Sequence, residues 1–154
     1  MGYNGSLESI KTTKEAHLSR VFNPDSVGKE RNKLRKEIVI AIRAFMSQQE
    51  PNNEAKDAAA FIVISLRKIY DTVEKSVVAW EKRGYWVKAD KFRLEWEWTL
   101  GFSNKLEKQL VDENWIEVAG SCMQIAQKFY NVTVSPNHRM GTPWSGSWKK
   151  LFPK

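Results

Sequence analysis

Four stretches of this chain place an apolar residue every three or four positions, and cap or breaker residues separate them. That spacing matches one face of a 3.6-residue helix. The only strand signal, Val132-Thr133-Val134, is too short to build a sheet. The chain is therefore expected to be all-α. Its first helix spans about Ser26 to Gln49, led in by Asn23-Pro24-Asp25, where Asn23 or Asp25 can cap and a proline suits the first turn. Pro51 closes it. The second begins after Asn52-Asn53, carries Ala59, Ile62, Leu66, Ile69, Val73, Val77 and Trp80 on one face, and ends at Lys82-Arg83-Gly84. The third runs from about Tyr85 to Val111 on Tyr85, Ala89, Phe92, Trp96, Leu100, Ser103, Leu106 and Leu110. Asp112 is expected to cap the fourth, with Ile116, Ala119, Cys122, Ala126 and Phe129 inward.

Short connections set consecutive helices side by side, which predicts an up-down-up-down antiparallel four-helix bundle over residues 23–131. Residues 1–22 form an N-terminal arm with a weak pattern in Leu7, Ile10, Leu18 and Val21. Residues 132–154 form an irregular C-terminal tail containing Trp144 and Trp148. With 154 residues, 42% hydrophobic and 28% charged, the whole chain reads as a single globular helical domain.

Helix three carries a second apolar line. Opposite Trp96 stand Val87, Leu94 and Trp98, with Phe102 on the flank, and in helix two Ala60 and Ile64 back the core residue Ile62. Three covers suit such surplus apolar surface: the arm or the tail through Trp144, Trp148, Leu151 and Phe152; a second copy of the chain; or a partner helix or apolar ligand in a groove. An apolar ligand would sit among Trp80, Tyr85, Trp96 and Trp115.

The net charge of +7 is uneven. Residues 1–36 hold eight basic and four acidic residues, and residues 131–154 hold four basic and none acidic, while the stretch between is close to neutral. Lys29, Lys33, Lys36 and Arg43 form an outward positive stripe on helix one, with Arg31 and Arg35 flanking the core side. With Lys149 and Lys150 of the tail they are the candidate contacts for nucleic acid, through phosphate charge and without base specificity.

Catalytic and metal chemistry find little support. His17 and His138 both fall outside the four helices, which excludes a Glu-x-x-His di-iron site. Asp71 with Glu74, and Glu95 with Glu97, are the nearest to carboxylate metal pairs, yet their helical angles leave them solvated. Cys122, the single cysteine, reads as a small core hydrophobe and fits a reducing cytoplasm. No metal or cofactor is expected, no stretch is long and apolar enough to span a membrane, and the N-terminus lacks a secretory signal. Without one, Asn4-Gly5-Ser6 and Asn131-Val132-Thr133 are chance glycosylation matches. The sequence thus favours a non-catalytic, self-associating or adaptor module that works through its second apolar face.

Overall fold

A computed structural model of the chain describes residues 24–154. The arm expected over residues 1–22, with His17, lies outside the described residues, as do the side chains of the expected caps Asn23 and Asp25. Among the described residues the chain is all-α, with no strand. The helices are α1 (Pro24–Met46), α2 (Asn53–Lys82), α3 (Trp86–Trp96), α4 (Trp98–Val111), α5 (Trp115–Lys128) and α6 (Ser147–Leu151). None is long and apolar enough to cross a membrane.

Helix α1 opens on Pro24, where a missing N–H costs nothing. It stops three residues before Gln49 because side chains replace the backbone ladder: Ser47 Oγ and Gln48 Nε2 both donate to the Ala44 carbonyl, at 2.9 and 3.0 Å. Asn52 then caps α2, its Oδ1 accepting from Ala55 N at 2.9 Å. At the far end Gly84 takes a φ of +82°, the left-handed turn that ends a helix cheaply only when the residue is glycine.

Helix α2 is the centre of the molecule, packed by α1, α3, α4 and α6. Ala58, Ala59, Ala60, Ile62 and Val63 are all sealed from solvent, so both faces of its first half are buried. The second apolar side expected at Ala60 is real, and protein covers it.

The third expected helix is divided at Glu97. The buried Thr99 hydroxyl donates to the Trp96 carbonyl at 2.7 Å, and Leu100 N reaches Glu97 O at 3.2 Å, a tighter turn than the α-helical one. Glu97 keeps helical dihedrals (φ −64°, ψ −20°), so the rod bends there without ending. Arg93 fastens α3 to α2 through Glu74 at 3.3 Å and Glu81 at 3.6 Å.

Two expectations for the next helix are corrected. Asn114, not Asp112, caps α5 by accepting from Glu117 N. Asp112 instead closes α4 and pairs with Lys108 at 2.9 Å. The inward face is Val118, Ser121, Cys122, Ile125 and Phe129, and Ile116 is 87% exposed. A 2.8 Å hydrogen bond from Ser121 to the buried Gln109 side chain sets this phase, leaving Ala119 and Ala126 on the flank.

The tail is irregular over residues 132–146, as expected, and helical only at Ser147–Leu151, but it is anchored to the core. Arg43 donates to the Val134 carbonyl at 2.8 Å, and Val134 and Trp144 join the core. Gly146, at φ +81°, precedes α6 in the left-handed conformation, and Gly146 N and Trp148 N both donate to the Asp57 carboxylate, at 3.0 and 2.9 Å. Asp57 on α2 therefore caps a helix almost ninety residues away in sequence. Trp148 lies 6.4 Å from Trp115 and 4.6 Å from Phe152 by ring centroids, under Lys56.

Candidate functional site

Two regions hold the chemistry left over once the core is built. One is the outer face of α3. Val87 is 69% exposed and Leu94 67%, with Tyr85 and Trp86 exposed where the helix begins and Lys88, Asp90 and Lys91 between them. At 100° per residue Val87, Lys91 and Leu94 share one line, with Asp90 on its edge. Trp98, assigned to the same line, belongs elsewhere: beyond the bend it stacks 6.4 Å from Trp96, meets Phe129 edge-on at 5.4 Å, and lies under Lys128. Phe102 follows it into half-burial, 6.0 Å from Trp98. Trp144 and Trp148 cover α2, so the tail does not reach the open part of the α3 face.

The second region lies where α1, the bend and the end of α5 meet. Rings of Trp80, Phe92, Trp96, Trp98 and Phe129 follow one another at 5.0 to 6.4 Å. Arginines lie over them: Arg31 sits 4.9 Å from the Phe92 centroid and 5.9 Å from that of Trp96, and Arg35 sits 5.9 Å from Trp96 and 5.7 Å from Phe129. Arg31 also donates to Thr72 Oγ1 (3.0 Å), Thr72 O (3.2 Å) and Ser76 Oγ (3.2 Å). Burial, and next the charge of Arg35, hold its guanidinium below the usual arginine range. Beside the pair opens a hollow of about 270 Å³ lined by Arg35, Glu95, Trp96, Trp98, Lys128, Phe129, Tyr130 and Asn131.

No known protein family, curated protein or solved structure matches the chain.

Of the basic candidates, Lys29, Lys33 and Lys36 face solvent on α1, with Glu37 4.0 Å from Lys33, and Lys149 and Lys150 are exposed on α6. Arg43 is engaged in holding the tail. The four rings proposed for an apolar ligand do not converge. Trp115 lines a hollow of about 340 Å³ with Phe45, Pro51 and Ile116, Trp96 lines the hollow beside Arg35, Trp80 packs on Phe92 under Lys88, and Tyr85 is exposed. Among the described residues no three of His, Cys, Asp and Glu gather to hold a metal, and Glu74 is engaged with Arg93.

Cys122 is sealed in the core, and burial pushes its thiol up to about 12. A thiol reagent at pH 8 should therefore label the native protein only as fast as it opens, and the urea-unfolded chain at once. Because the folded thiol ionises later than the unfolded one, stability falls as pH climbs from about 8.5 towards about 12. Cys122→Ala should remove the thiol's share of that slope and leave the part due to Tyr70, whose phenol is also pushed up, first by burial.

Sequence reasoning passed over Arg35, Lys128 and Asn131 as site residues. A signal was present: Arg31 and Arg35 stand one turn apart on the core-side flank, a repulsive i,i+4 spacing.

Proposed function

We propose that this chain is a non-catalytic helical interaction module that pairs with a second copy of itself through the outer face of α3. Its scaffold is read as an up-down-up-down four-helix bundle whose third rod is α3 and α4 together. The neighbour relations α1 to α2, α2 to α4, α4 to α5 and α5 back to α1 support that topology. The buried free thiol suits a reducing compartment such as the cytoplasm.

The observation that carries the proposal is the self-complementary order of Val87, Asp90, Lys91 and Leu94 on an open apolar face. Two α3 helices laid antiparallel about a two-fold axis between positions 90 and 91 set each Val87 against the second copy's Leu94, and each Asp90 against the second copy's Lys91. A two-fold interface must be complementary to itself in this way. Asp90 has little to hold it at home: its own-chain partner Arg93, 3.8 Å away, is engaged by Glu74 and Glu81. Eleven residues of α3 extend only about 16 Å, so the interface falls at the small end of stable dimers and its affinity is expected in the micromolar range.

A charge swap tests the pairing. Lys91→Glu should weaken the dimer because acid then faces acid, and Asp90→Lys with Lys91→Glu should restore it by exchanging the partners. Sedimentation velocity reads both. Equal dimerisation by Lys91→Glu and the parent chain would defeat the proposed register.

A further inference from the structure

We infer that the hollow between α1, the α3–α4 bend and the end of α5 binds a phosphate-type oxyanion, with Arg35 and Lys128 as its direct contacts and Arg31 adding charge behind them. This inference does not rest on self-association. Arg31, Arg35 and Lys128 gather there against a single lining acid, Glu95, with Glu30 a further acid near Arg31. Arg31 and Arg35 are half-buried and repel each other, and neither forms an ion pair among the described residues. Charges held away from water are ordinarily paired, so two adjacent guanidiniums with no ion pair among the described residues mark a place suited to an anion.

The donor inventory agrees. Arg35 Nη1 donates to Asn32 Oδ1 at 3.2 Å, and Nη2 has only a long 3.4 Å contact to Asn131 Oδ1. Arg35 Nε and Trp96 Nε1 are buried and have no acceptor among the described residues. Two residues lining one hollow thus each hold an unused N–H. The Nε and Nη2 groups of an arginine form the fork that takes an oxyanion through two parallel hydrogen bonds. A small turn of the Arg35 side chain, displacing the long Asn131 contact, would present it. Lys128, which lines the same hollow, is exposed and adds a point charge. The one opposing charge on the rim is Glu95, which leaves a net positive site and matches a dianion better than a carboxylate. The highly exposed Tyr130 ring on the same rim leaves room for an ester substituent.

The test uses the full chain, labelled with ¹⁵N, and follows the indole N–H resonance of Trp96, assigned through Trp96→Phe. Inorganic phosphate is titrated at constant ionic strength against chloride, with phosphoserine in parallel. The expected result is a saturable shift of the Trp96 resonance. Lys128→Gln, an exposed change that spares the fold, should weaken binding roughly tenfold, and Glu95→Gln should tighten it a few-fold. Equal affinity for the two ligands would point to a free anion, and tighter phosphoserine binding to a phosphorylated peptide as its source. A Trp96 resonance that moves no more with phosphate than with chloride would overturn the inference. So would binding that neither Lys128→Gln nor Glu95→Gln alters.

Discussion

Trp144→Ala is expected to lower the unfolding free energy by about 3–5 kcal/mol, the usual cost of removing a buried tryptophan and leaving a cavity. Against a typical total of roughly 5–15 kcal/mol, that is the difference between a folded and a marginal protein. Trp144 is only 6% exposed and packs with the core, although it lies in a stretch with no periodic pattern. Urea denaturation reads the loss. A change below about 1 kcal/mol would mean that the tail is not part of the core. Asp57→Ala approaches the same docking from the opposite side. It removes the acceptor for Gly146 N and Trp148 N and should cost about 1–2 kcal/mol, as helix caps do. Both changes release one element, so the double variant should lose less than the two losses added together.

Arg31 supplies the second large effect, and two substitutions separate its parts. Arg31→Ala should cost about 2–3 kcal/mol, because three charge-assisted hydrogen bonds to Thr72 and Ser76 vanish together with packing on Phe92. Thr72 keeps one bond, its hydroxyl donating to Ile69 O at 2.6 Å, which limits the loss. Arg31→Met keeps the stem and removes the charge. Burial and the nearby Arg35 both disfavour that charge, so methionine should recover a good part of the stability. Alanine and methionine variants that denature together, both far below the parent, would show that the hydrogen bonds outweigh the burial cost. An alanine variant within about 0.5 kcal/mol of the parent would show that Arg31 contributes little.

The long helices were legible because their apolar spacing and their caps agree, as at Asn52 and Gly84, where local chemistry and packing point the same way. Position 97 was not legible. Glu97 is an ordinary helix residue, and the bend comes from a buried Thr99 hydroxyl whose choice of the Trp96 carbonyl depends on burial. In α5 two apolar lines of similar weight run side by side. The choice between Ile116 and Val118 was made by Gln109 on a different helix, which periodicity cannot register. The anchoring of the tail was illegible for a related reason: its cap, Asp57, stands far away in sequence. Of the candidate surfaces, Val87 and Leu94 were readable as surplus apolar residues, while the hollow beside Arg35 required the bend to bring Trp96, Trp98 and Lys128 together.

The central claim is self-association through α3, and sedimentation equilibrium of the full chain tests it most directly. Between about 1 and about 300 μM the apparent mass should rise from 17.9 kDa towards twice that value. Leu94→Asp, which sets a carboxylate against the second copy's Val87, should remain a monomer throughout. A parent chain that stays at 17.9 kDa over the whole range, or a Leu94→Asp variant that dimerises as the parent does, would contradict the account.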